Sequence, residues 1–362
     1  MAKVLLTALL FDVFSKTELT FLIGGSGFIA AHILEQLLAK GHSVVTTVRS
    51  EEKAAKIREA YPSQAASGDL TVVIVPDIAQ PDAFDEVVKV PGLEVVLHTA
   101  SPFHFKFKDP QKELIEPAVI GTTSILRAIT RSAPTVRRVV VTSSFAAILT
   151  EAKTYDPFTT YSESSWNPVT IADIHNSPAT AYRASKTLAE RAAWDFVRDP
   201  ANGAKFDLVT VNPPMVFGPV VHYLASLDAI NTSNERIVDC VRGKWREAVP
   251  PTGPAMIWVD VRDVASAHVK AGLEIPEAGG KRLFVVSGWF SNAELAALVR
   301  KNFPEDSERL PTAETKGGEI TPEGERFKYD NSDTTRLLGI DWIGFEKCVV
   351  DTVRSLKKVD GA

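Results

Sequence analysis

Two short segments carry side chains that could act on a carbonyl group: Thr142-Ser143-Ser144 and Tyr182-Arg183-Ala184-Ser185-Lys186. A tyrosine and a lysine four positions apart lie on one face of a helix, where the ammonium can lower the phenol's pKa. A serine hydroxyl from a nearby strand end would help hold a carbonyl oxygen while the phenol gives it a proton. This chemistry requires a hydride donor. The alternative is a surface helix with an amphipathic tyrosine and a solvated lysine.

A glycine-rich segment between a short apolar strand and a helix could bind such a donor. Gly24, Gly27 and Ala30 fit the pattern G-x-x-G-x-x-A, with Phe28 and Ile29 opening the helix. Small residues let the backbone approach a pyrophosphate, whose charge is favoured at a helix N-terminus. The pattern therefore favours dinucleotide binding over a strand–helix turn without a ligand.

The end of the second predicted strand indicates which dinucleotide the chain would bind. NAD sites usually place an acidic residue here for the ribose 2′-hydroxyl, whereas this chain has Arg49, followed by Lys53 and Lys56 in the next helix. An arginine suits a 2′-phosphate, which favours NADP(H) over a merely solvated basic helix start.

Two further strand ends supply candidate cofactor contacts. Asp77 and Ile78 follow the third strand, where the adenine is expected. Thr99, Ala100 and Ser101 follow the fourth strand, where the backbone would pass the ribose. His98 just before them is as consistent with a core histidine as with a functional one.

The elements that must position these residues alternate between apolar strands and helical patterns, which predicts an α/β Rossmann-type doubly wound parallel sheet. Strands are expected at Leu19–Ile23, Ser43–Val48, 70–75, 95–98, 136–142, 206–212 and 282–286. Helices are expected at 30–40, Glu51–Ala60, 80–90, 111–132 and 181–198.

The domain prediction divides the chain into three parts. Residues 19–215 form the NADP-binding domain, to which a strand near 255–290 returns. Residues 216–254 and 291–362 form a smaller C-terminal substrate-binding lobe, because prolines interrupt the pattern there. Residues 1–18 are an atypical extension. Joining residues 1–7 directly to Gly24 would give an ordinary Rossmann start, so residues 8–23 are hypothesised to be an in-frame insertion.

Composition limits the class of protein. The 362 residues carry a net charge of −5, with a pI near 5.9 and mean hydropathy of +0.01, which argues against nucleic acid or an anionic membrane as partner. No apolar run is long enough to span a bilayer. Cys240 and Cys348 lack metal-ligand spacing, and the histidines form no metal motif. We expect a cytoplasmic protein with a small-molecule partner and no metal, as a monomer or homodimer.

Taken together, the motifs resemble an extended short-chain dehydrogenase/reductase of the dihydroflavonol-reductase-like branch, closest to fungal NADPH-dependent aldehyde, ketone and methylglyoxal reductases. The resemblance covers about residues 20–358. It also rests on further segments. These are Pro117-Ala118-Val119-Ile120-Gly121-Thr122, Arg138-Val139-Val140-Val141 leading into Thr142, Ser165-Trp166-Asn167-Pro168, Thr187-Leu188-Ala189-Glu190-Arg191-Ala192-Ala193-Trp194 after Lys186, and Trp258-Val259-Asp260-Val261-Arg262-Asp263-Val264-Ala265 with His268.

This resemblance implies roles for individual residues. Ser144, Tyr182 and Lys186 would be the catalytic set, with Tyr182 as proton donor and Lys186 also binding the nicotinamide ribose. Arg49 and Lys56 would hold the 2′-phosphate, and Pro213 would lie beside the nicotinamide. Many relatives have asparagine where this chain has Ser124.

Two rival functions stay open, and the substrate is only broadly constrained. The rivals are an NAD-retaining sugar-nucleotide epimerase or dehydratase of the same fold and a non-catalytic dinucleotide-binding protein. The Asn-Trp-Tyr-Cys-Tyr signature of cinnamoyl-CoA reductases is missing ahead of Lys186, which counts against a CoA thioester. We expect a medium-sized, mostly apolar aldehyde or ketone. Its candidate pocket residues, each equally consistent with the core, are Phe103, Phe105, Phe107, Phe145, Met215, Phe217, Tyr223 and Trp258.

Overall fold

The computed structural model describes residues 18–100, 107–221, 230–254 and 256–360. Within these residues the strands are, in chain order, β1 (Leu19–Ile23), β2 (Ser43–Val48), β3 (Leu70–Ile74), β4 (Leu93–His98), β5 (Arg138–Thr142), β6 (Thr160–Tyr161), β7 (Asp207–Val211), β8 (Met215–Phe217), β9 (Ile257–Asp260), β10 (Arg282–Leu283), β11 (Gly288–Trp289) and β12 (Lys328–Tyr329).

The α-helices of the same residues are α1 (Phe28–Ala39), α2 (Glu51–Ala60), α3 (Pro62–Ser67), α4 (Glu116–Ser132), α5 (Pro178–Arg198), α6 (Glu235–Val241), α7 (Val261–Val269), α8 (Asn292–Asn302), α9 (Ser332–Leu338) and α10 (Phe345–Asp360). A π-helical turn, Gln111–Ile115, leads directly into α4.

Seven strands form a parallel sheet in the order β10-β7-β5-β4-β1-β2-β3, which confirms the predicted Rossmann-type fold. Its β1 residues point alternately to two cores. Leu22 packs into the core that includes residues of α1 and α7, whereas Phe21 and Ile23 pack into the core that includes residues of α4 and α5. Burial on both faces explains why the strands read as continuous apolar runs.

The later part of the chain adds a second packing unit. Strands β8, β9 and β11 form a three-stranded sheet, and β6 pairs with β12. Phe217 and Trp258 pack there with residues of α6, α8 and α10. None of the helices in the described residues is both long and apolar enough to cross a membrane.

Most predicted elements occur within a few residues of their expected ends, but the helix predicted over 80–90 is wrong. These residues form successive turns, in which Ala83 N donates to Gln80 O at 3.2 Å and Asp85 N donates to Asp82 O at 3.0 Å. Phe84 and Val88 are buried with the spacing of a helix face, which is why the pattern was helical. Pro81 and Pro91 flank the segment, and neither has the backbone N–H group that would extend a helix across it.

The first strand of the sheet is Leu19–Ile23, at the position predicted for it in the present chain. It pairs with β2 on one side and β4 on the other. The extension over 1–18 lies outside the described residues except for Glu18, and the hypothesised insertion over 8–23 does so up to residue 17.

Replacing Ile23 by alanine should therefore destabilise the protein strongly, since Ile23 is fully buried in a central strand. The expected loss in free energy of unfolding is about 2–5 kcal/mol. Ile74→Ala is the matched control, because Ile74 is 40% exposed on the edge strand β3, and its loss should stay below about 1 kcal/mol. Urea unfolding of both variants measures the difference. Equal losses would show that residues 19–23 do not form the central strand.

Candidate active site

Helix α5 presents Tyr182 and Lys186 on one face. Its start is fixed by Ser177, whose hydroxyl accepts a hydrogen bond from Thr180 N at 3.0 Å, and by Pro178 in the first turn. Lys186 lies one helical turn after Tyr182, with its Nζ 5.9 Å from the centre of the tyrosine ring. The predicted pairing of these side chains is therefore present in the structure.

Ser144 reaches the same place from the sheet. It follows the carboxyl end of β5 in an extended conformation, and its Oγ accepts a hydrogen bond from Ala146 N at 3.1 Å. The Ser144 and Tyr182 side chains are also hydrogen-bonded to each other. The structure thus brings together the three residues that the two sequence segments supply.

The electrostatics of this group differ from the sequence expectation. Burial raises the pKa of Tyr182 above its ordinary value of 10.0, and the hydrogen bond with Ser144 only partly opposes this effect. Burial also lowers the pKa of Lys186 from 10.5 to about 8. The expected lowering of the tyrosine pKa by Lys186 is therefore absent, because burial is the largest influence on the pKa of each group.

Ser144 and Tyr182 form part of the wall of a cavity of about 250 Å³. Its other lining residues are Phe145, Ala146, Leu149, Ala179, Arg183, Pro214, Met215, Thr232, Ser233 and Pro254. The wall is mostly apolar, and its polar side chains belong to Ser144, Tyr182, Arg183, Thr232 and Ser233.

The predicted pocket residues divide into four groups. Phe145 and Met215 line the cavity. Phe217 and Trp258 do not, because both are buried in the core of the later packing unit. Phe107 packs in the small cluster around Leu114 that also contacts Tyr182, whereas Phe103, Phe105 and Tyr223 lie outside the described residues.

Sequence reasoning missed several wall residues that come from distant segments. Thr232, Ser233 and Pro254 have no motif around them, and only the fold brings them opposite α5. Arg183 could have been found, because it directly follows Tyr182. Its guanidinium donates to Glu151 Oε2 at 2.5 Å.

A larger cavity, of about 620 Å³, lies between the end of α5, β10 and α9. Arg198, Lys281 and Asp333 are among its lining residues, but Ser144, Tyr182 and Lys186 are not. We therefore assign the candidate active site to the smaller cavity, where the groups capable of proton transfer converge.

The glycine turn packs closely against its neighbours at Gly24 and Gly25. Gly24 has a φ of +92°, and an added Cβ would lie 3.1 Å from the Cβ of Ala100. At Gly25 a Cβ would lie 2.1 Å from Thr46 Oγ1. Helix α1 then begins at Phe28 with no side-chain cap and no acidic residue in its first turn. Its first N–H groups, at Phe28 and Ile29, are suited to bind a pyrophosphate.

The turn is anchored to both neighbouring strands. Gly24 N donates to Thr47 Oγ1 at 3.2 Å, and Gly25 N donates to Thr47 O at 2.9 Å. Thr99 Oγ1 donates to Ile23 O at 2.6 Å from the β4 side. Thr99 and Ala100 lie beside Gly24, while Ser101 lies outside the described residues.

The basic residues proposed for a 2′-phosphate differ in their surroundings. Arg49 is exposed directly after β2. Lys56 is engaged on the surface of α2, where its Nζ donates to Glu52 Oε1 at 2.7 Å. Arg49 is thus better placed to meet a phosphate than Lys56, which would have to leave an ion pair.

Asp77 and Ile78 follow β3 as predicted, with different roles in the local structure. The exposed Asp77 carboxylate accepts from Ala79 N at 2.9 Å and from Gln80 Nε2 at 2.7 Å, and these bonds lower its pKa. Ile78 is buried against Gly121 of α4. Pro213 follows β7, is buried, and accepts a hydrogen bond from Phe145 N at 2.8 Å.

The surroundings of His98 and Ser124, whose roles the sequence left open, are structural. His98 is fully buried, and neither ring nitrogen has a hydrogen-bond partner among the described residues. Burial, with a smaller effect of Lys186, lowers its pKa to about 4, so the ring is neutral at physiological pH. Ser124 is buried in α4 and its hydroxyl donates to Gly121 O at 3.4 Å, within its own helix.

Comparison with known proteins agrees with this geometry. The model of the NAD dependent epimerase/dehydratase family matches residues 20–287. Ketoreductase azaE of Aspergillus niger is 42% identical over 346 residues, which is 94% of this chain and 98% of that protein. NADPH-dependent methylglyoxal reductase GRE2 of Saccharomyces cerevisiae is 35% identical over 344 residues, with 94% and 98% covered.

A solved structure extends the comparison to three dimensions. The crystal structure of yeast methylglyoxal/isovaleraldehyde reductase Gre2 complexed with NADPH has a TM-score of 0.84 and 34% identity to this chain, and the match covers 95% of this chain and 99% of that one. These matches confirm the resemblance inferred from the motifs. The chain belongs to the NAD dependent epimerase/dehydratase family, the extended short-chain dehydrogenases/reductases.

Proposed function

We propose that this chain is an NADPH-dependent carbonyl reductase that converts an aldehyde or ketone to the corresponding alcohol. The observation that carries the proposal is the hydrogen-bonded Ser144–Tyr182 pair in the wall of a mostly apolar cavity, one helical turn from Lys186. The printed names of its relatives, a ketoreductase and an NADPH-dependent methylglyoxal reductase, support the same activity.

Each of the three residues has a distinct task in this proposal. NADPH, when bound, supplies the hydride that reduces the carbonyl carbon. The Ser144 hydroxyl donates a hydrogen bond to the carbonyl oxygen and so orients it toward Tyr182. Tyr182 gives that oxygen its phenolic proton, which completes the alcohol and leaves a phenolate. Lys186 stabilises this phenolate and binds the cofactor's ribose.

The cofactor contacts are part of the proposal. Gly24, Gly27, Phe28 and Ile29 would hold the pyrophosphate, since α1 offers uncapped N–H groups there. Arg49 would bind the 2′-phosphate, with Lys56 in a lesser role. Asp77 and Ile78 would lie at the adenine, Thr99, Ala100 and Ser101 along the ribose, and Pro213 beside the nicotinamide.

The division of the chain supports a substrate-binding lobe. Ser144 and Tyr182 belong to the proposed cofactor domain over 19–215, whereas Thr232, Ser233 and Pro254 belong to the proposed lobe over 216–254 and 291–362. The cavity between them suits a medium-sized, mostly apolar carbonyl compound. Assays of aldehydes, diketones, β-keto esters and dihydroflavonols with NADPH will define the substrate class.

An NAD-retaining epimerase or dehydratase is the alternative of the same fold. Arg49 at the end of β2 disfavours it, because such enzymes usually have an acidic residue there. NAD remaining bound through purification would support this alternative. The complete Ser144–Tyr182–Lys186 set argues in turn against a non-catalytic dinucleotide-binding protein.

We also propose that the chain acts in the cytoplasm as a monomer or homodimer. Cys240 and Cys348 are both buried and unpaired, as expected of a protein from a reducing compartment. Microscopy of the tagged chain and light scattering of the purified protein test these two statements.

Tyr182→Phe should nearly abolish NADPH-dependent carbonyl reduction, because it removes the proton donor but keeps the aromatic ring. The expected loss in kcat is about a hundredfold to ten-thousandfold. Fluorescence titration should show NADPH binding retained, and circular dichroism an intact fold. Tyr155→Phe is the matched control, since Tyr155 is 59% exposed and lies outside this cavity. Near-wild-type turnover of Tyr182→Phe would refute the role.

Arg49→Ala should weaken binding of NADPH far more than binding of NADH, since only NADPH carries the 2′-phosphate. We expect KM for NADPH to rise about tenfold to a hundredfold, as for loss of a charged hydrogen bond. Lys56→Ala should have a smaller effect because Lys56 is paired with Glu52. Steady-state kinetics with both cofactors measures this, and equal effects on the two would remove the assignment.

The kcat/KM for NADPH should fall as the pH rises through about 8, because burial lowers the pKa of Lys186 to about 8. Above this pH Lys186 becomes neutral and no longer stabilises a phenolate, whereas Tyr182, with its raised pKa, keeps its proton. The pH profile of kcat/KM for NADPH reports ionisations of the free enzyme. Lys186→Arg retains its charge at every pH tested, so its profile should lack this decline. A decline that persists in Lys186→Arg must come from another group.

A further inference from the structure

A buried carboxylate lies one helical turn beyond the lysine of the site. Glu190 follows Lys186 by four positions on α5, and its side chain is only 1% exposed. The proposed proton transfer does not use it. Because an ionised carboxylate is costly to bury without partners, its surroundings show what the fold gains from it.

Five side chains donate hydrogen bonds to the Glu190 carboxylate. The Oε1 atom accepts from Arg282 Nε at 2.6 Å, Thr210 Oγ1 at 3.0 Å and Trp194 Nε1 at 3.3 Å. The Oε2 atom accepts from Ser143 Oγ at 2.5 Å and Asn212 Nδ2 at 2.8 Å, and Arg282 Nη2 lies 3.5 Å from it. Both oxygens are therefore surrounded by donors.

These donors tie the catalytic helix to three adjacent strands. Ser143 follows β5, Thr210 and Asn212 lie in and directly after β7, and Arg282 lies in β10. The three strands are neighbours in the sheet order β10-β7-β5. Glu190 thus links Tyr182 and Lys186 on α5 with the strand end that carries Ser144.

The link continues directly to the backbone of Ser144. Asn212 Nδ2, held by Glu190, also donates to Ser144 O at 3.3 Å. On either side of Ser144, Ser143 N donates to Val211 O and Phe145 N donates to Pro213 O, both at 2.8 Å. Asn212 therefore lies between the residue proposed to hold the substrate oxygen and the proline proposed to lie beside the nicotinamide.

We infer that Glu190 is a positioning residue of the reaction. Through Ser143 and Asn212 its carboxylate sets the position of Ser144 relative to Tyr182. The position of Ser144 in turn sets the distances from the substrate carbonyl to the hydride donor and to the proton donor. This inference rests on the proposed reductase function. Small displacements of reacting groups strongly reduce rates, so loss of this link should act on the chemical step.

Arg282 determines how the hydrogen bonds around the Glu190 carboxylate respond to a substitution of Glu190. Its guanidinium lies 3.8 Å from the ring centre of Trp166 and donates to the carbonyls of Glu163 at 2.7 Å and Ser165 at 2.5 Å. A guanidinium has no acceptor, so the amide of a glutamine at 190 would have to keep its oxygen toward Arg282. Its NH₂ group would then face Ser143 and Asn212, and the Asn212 amide would have to rotate away from Ser144 O.

Glu190→Gln is therefore the test variant. We expect kcat to fall about tenfold to a hundredfold, with KM for NADPH little changed. The primary isotope effect on kcat with NADPH deuterated at the transferred position should increase, because hydride transfer becomes more rate-limiting. A purely structural role would lower stability without changing the isotope effect.

Asp207→Asn is the control for loss of an ion pair between an arginine and a carboxylate on these strands, with Arg138 buried and Asp207 partly exposed. Asp207 accepts from Arg138 Nε at 2.7 Å and Nη2 at 2.8 Å, on the same strands β5 and β7 but at their opposite ends. This variant should unfold at lower urea concentration than the wild type but keep its kcat and isotope effect. Asn212→Ala removes the link to Ser144 while leaving the Glu190–Arg282 pair intact, and decides the question where Glu190→Gln does not fold.

The crystal structures of the variants provide a readout independent of activity. In Glu190→Gln the bond from Asn212 Nδ2 to Ser144 O should be lost, and in Asp207→Asn it should remain. An unchanged Ser144 position, or a wild-type kcat and isotope effect in folded Glu190→Gln or Asn212→Ala, overturns the inference. A wild-type protein that reduces no carbonyl compound would instead refute the proposed function. The crystal structures would still show whether Glu190 sets the position of Ser144.

Discussion

The buried ion pair between Glu190 and Arg282 is the interaction on which the geometry of the site depends. Removing two charges from water costs several kcal/mol each, and only dense hydrogen bonding offsets this cost. Both partners meet that condition, because Glu190 accepts from strand ends and Arg282 donates to backbone carbonyls. A carboxylate satisfied in this way tolerates little displacement. The helix that carries Tyr182 is therefore fixed to the strands that carry Ser144.

The parallel sheet explains why so few residues suffice to build the site. Carboxyl ends of parallel strands lie at one edge, so the turns after β1, β2, β4, β5 and β7 converge although they are far apart in sequence. The glycine turn and the side chains of Ser144, Tyr182 and Lys186 are assembled at this edge. Each needs only a few residues of suitable type at the right strand end, which is why the motifs are short.

The same reasoning shows which features the sequence could predict. Ser144, Tyr182 and Lys186 could be predicted because their residue types and their strand or helix contexts are local in the sequence. The glycine turn could be predicted for the same reason. The walls of the cavity were not, since Thr232, Ser233 and Pro254 approach α5 only through the fold. Phe217 and Trp258 were indistinguishable in sequence from pocket residues, yet they fill the core. The 80–90 segment repeats the spacing of a helix because Phe84 and Val88 are buried from successive turns.

The pKa of Tyr182 was mispredicted because burial acts on both members of the pair, whereas spacing reveals only their attraction. Burial favours the neutral form of Tyr182 and of Lys186, yet with a pKa of about 8 the lysine is still mostly protonated at neutral pH. A protonated phenol is the form that a proton donor needs before reaction. In the proposed reaction, the phenolate left after proton transfer would lie near an ammonium in a poorly solvated site, where their attraction is strongest. The pair thus contributes most when charge is created, so its attraction lowers the barrier rather than stabilising the resting enzyme.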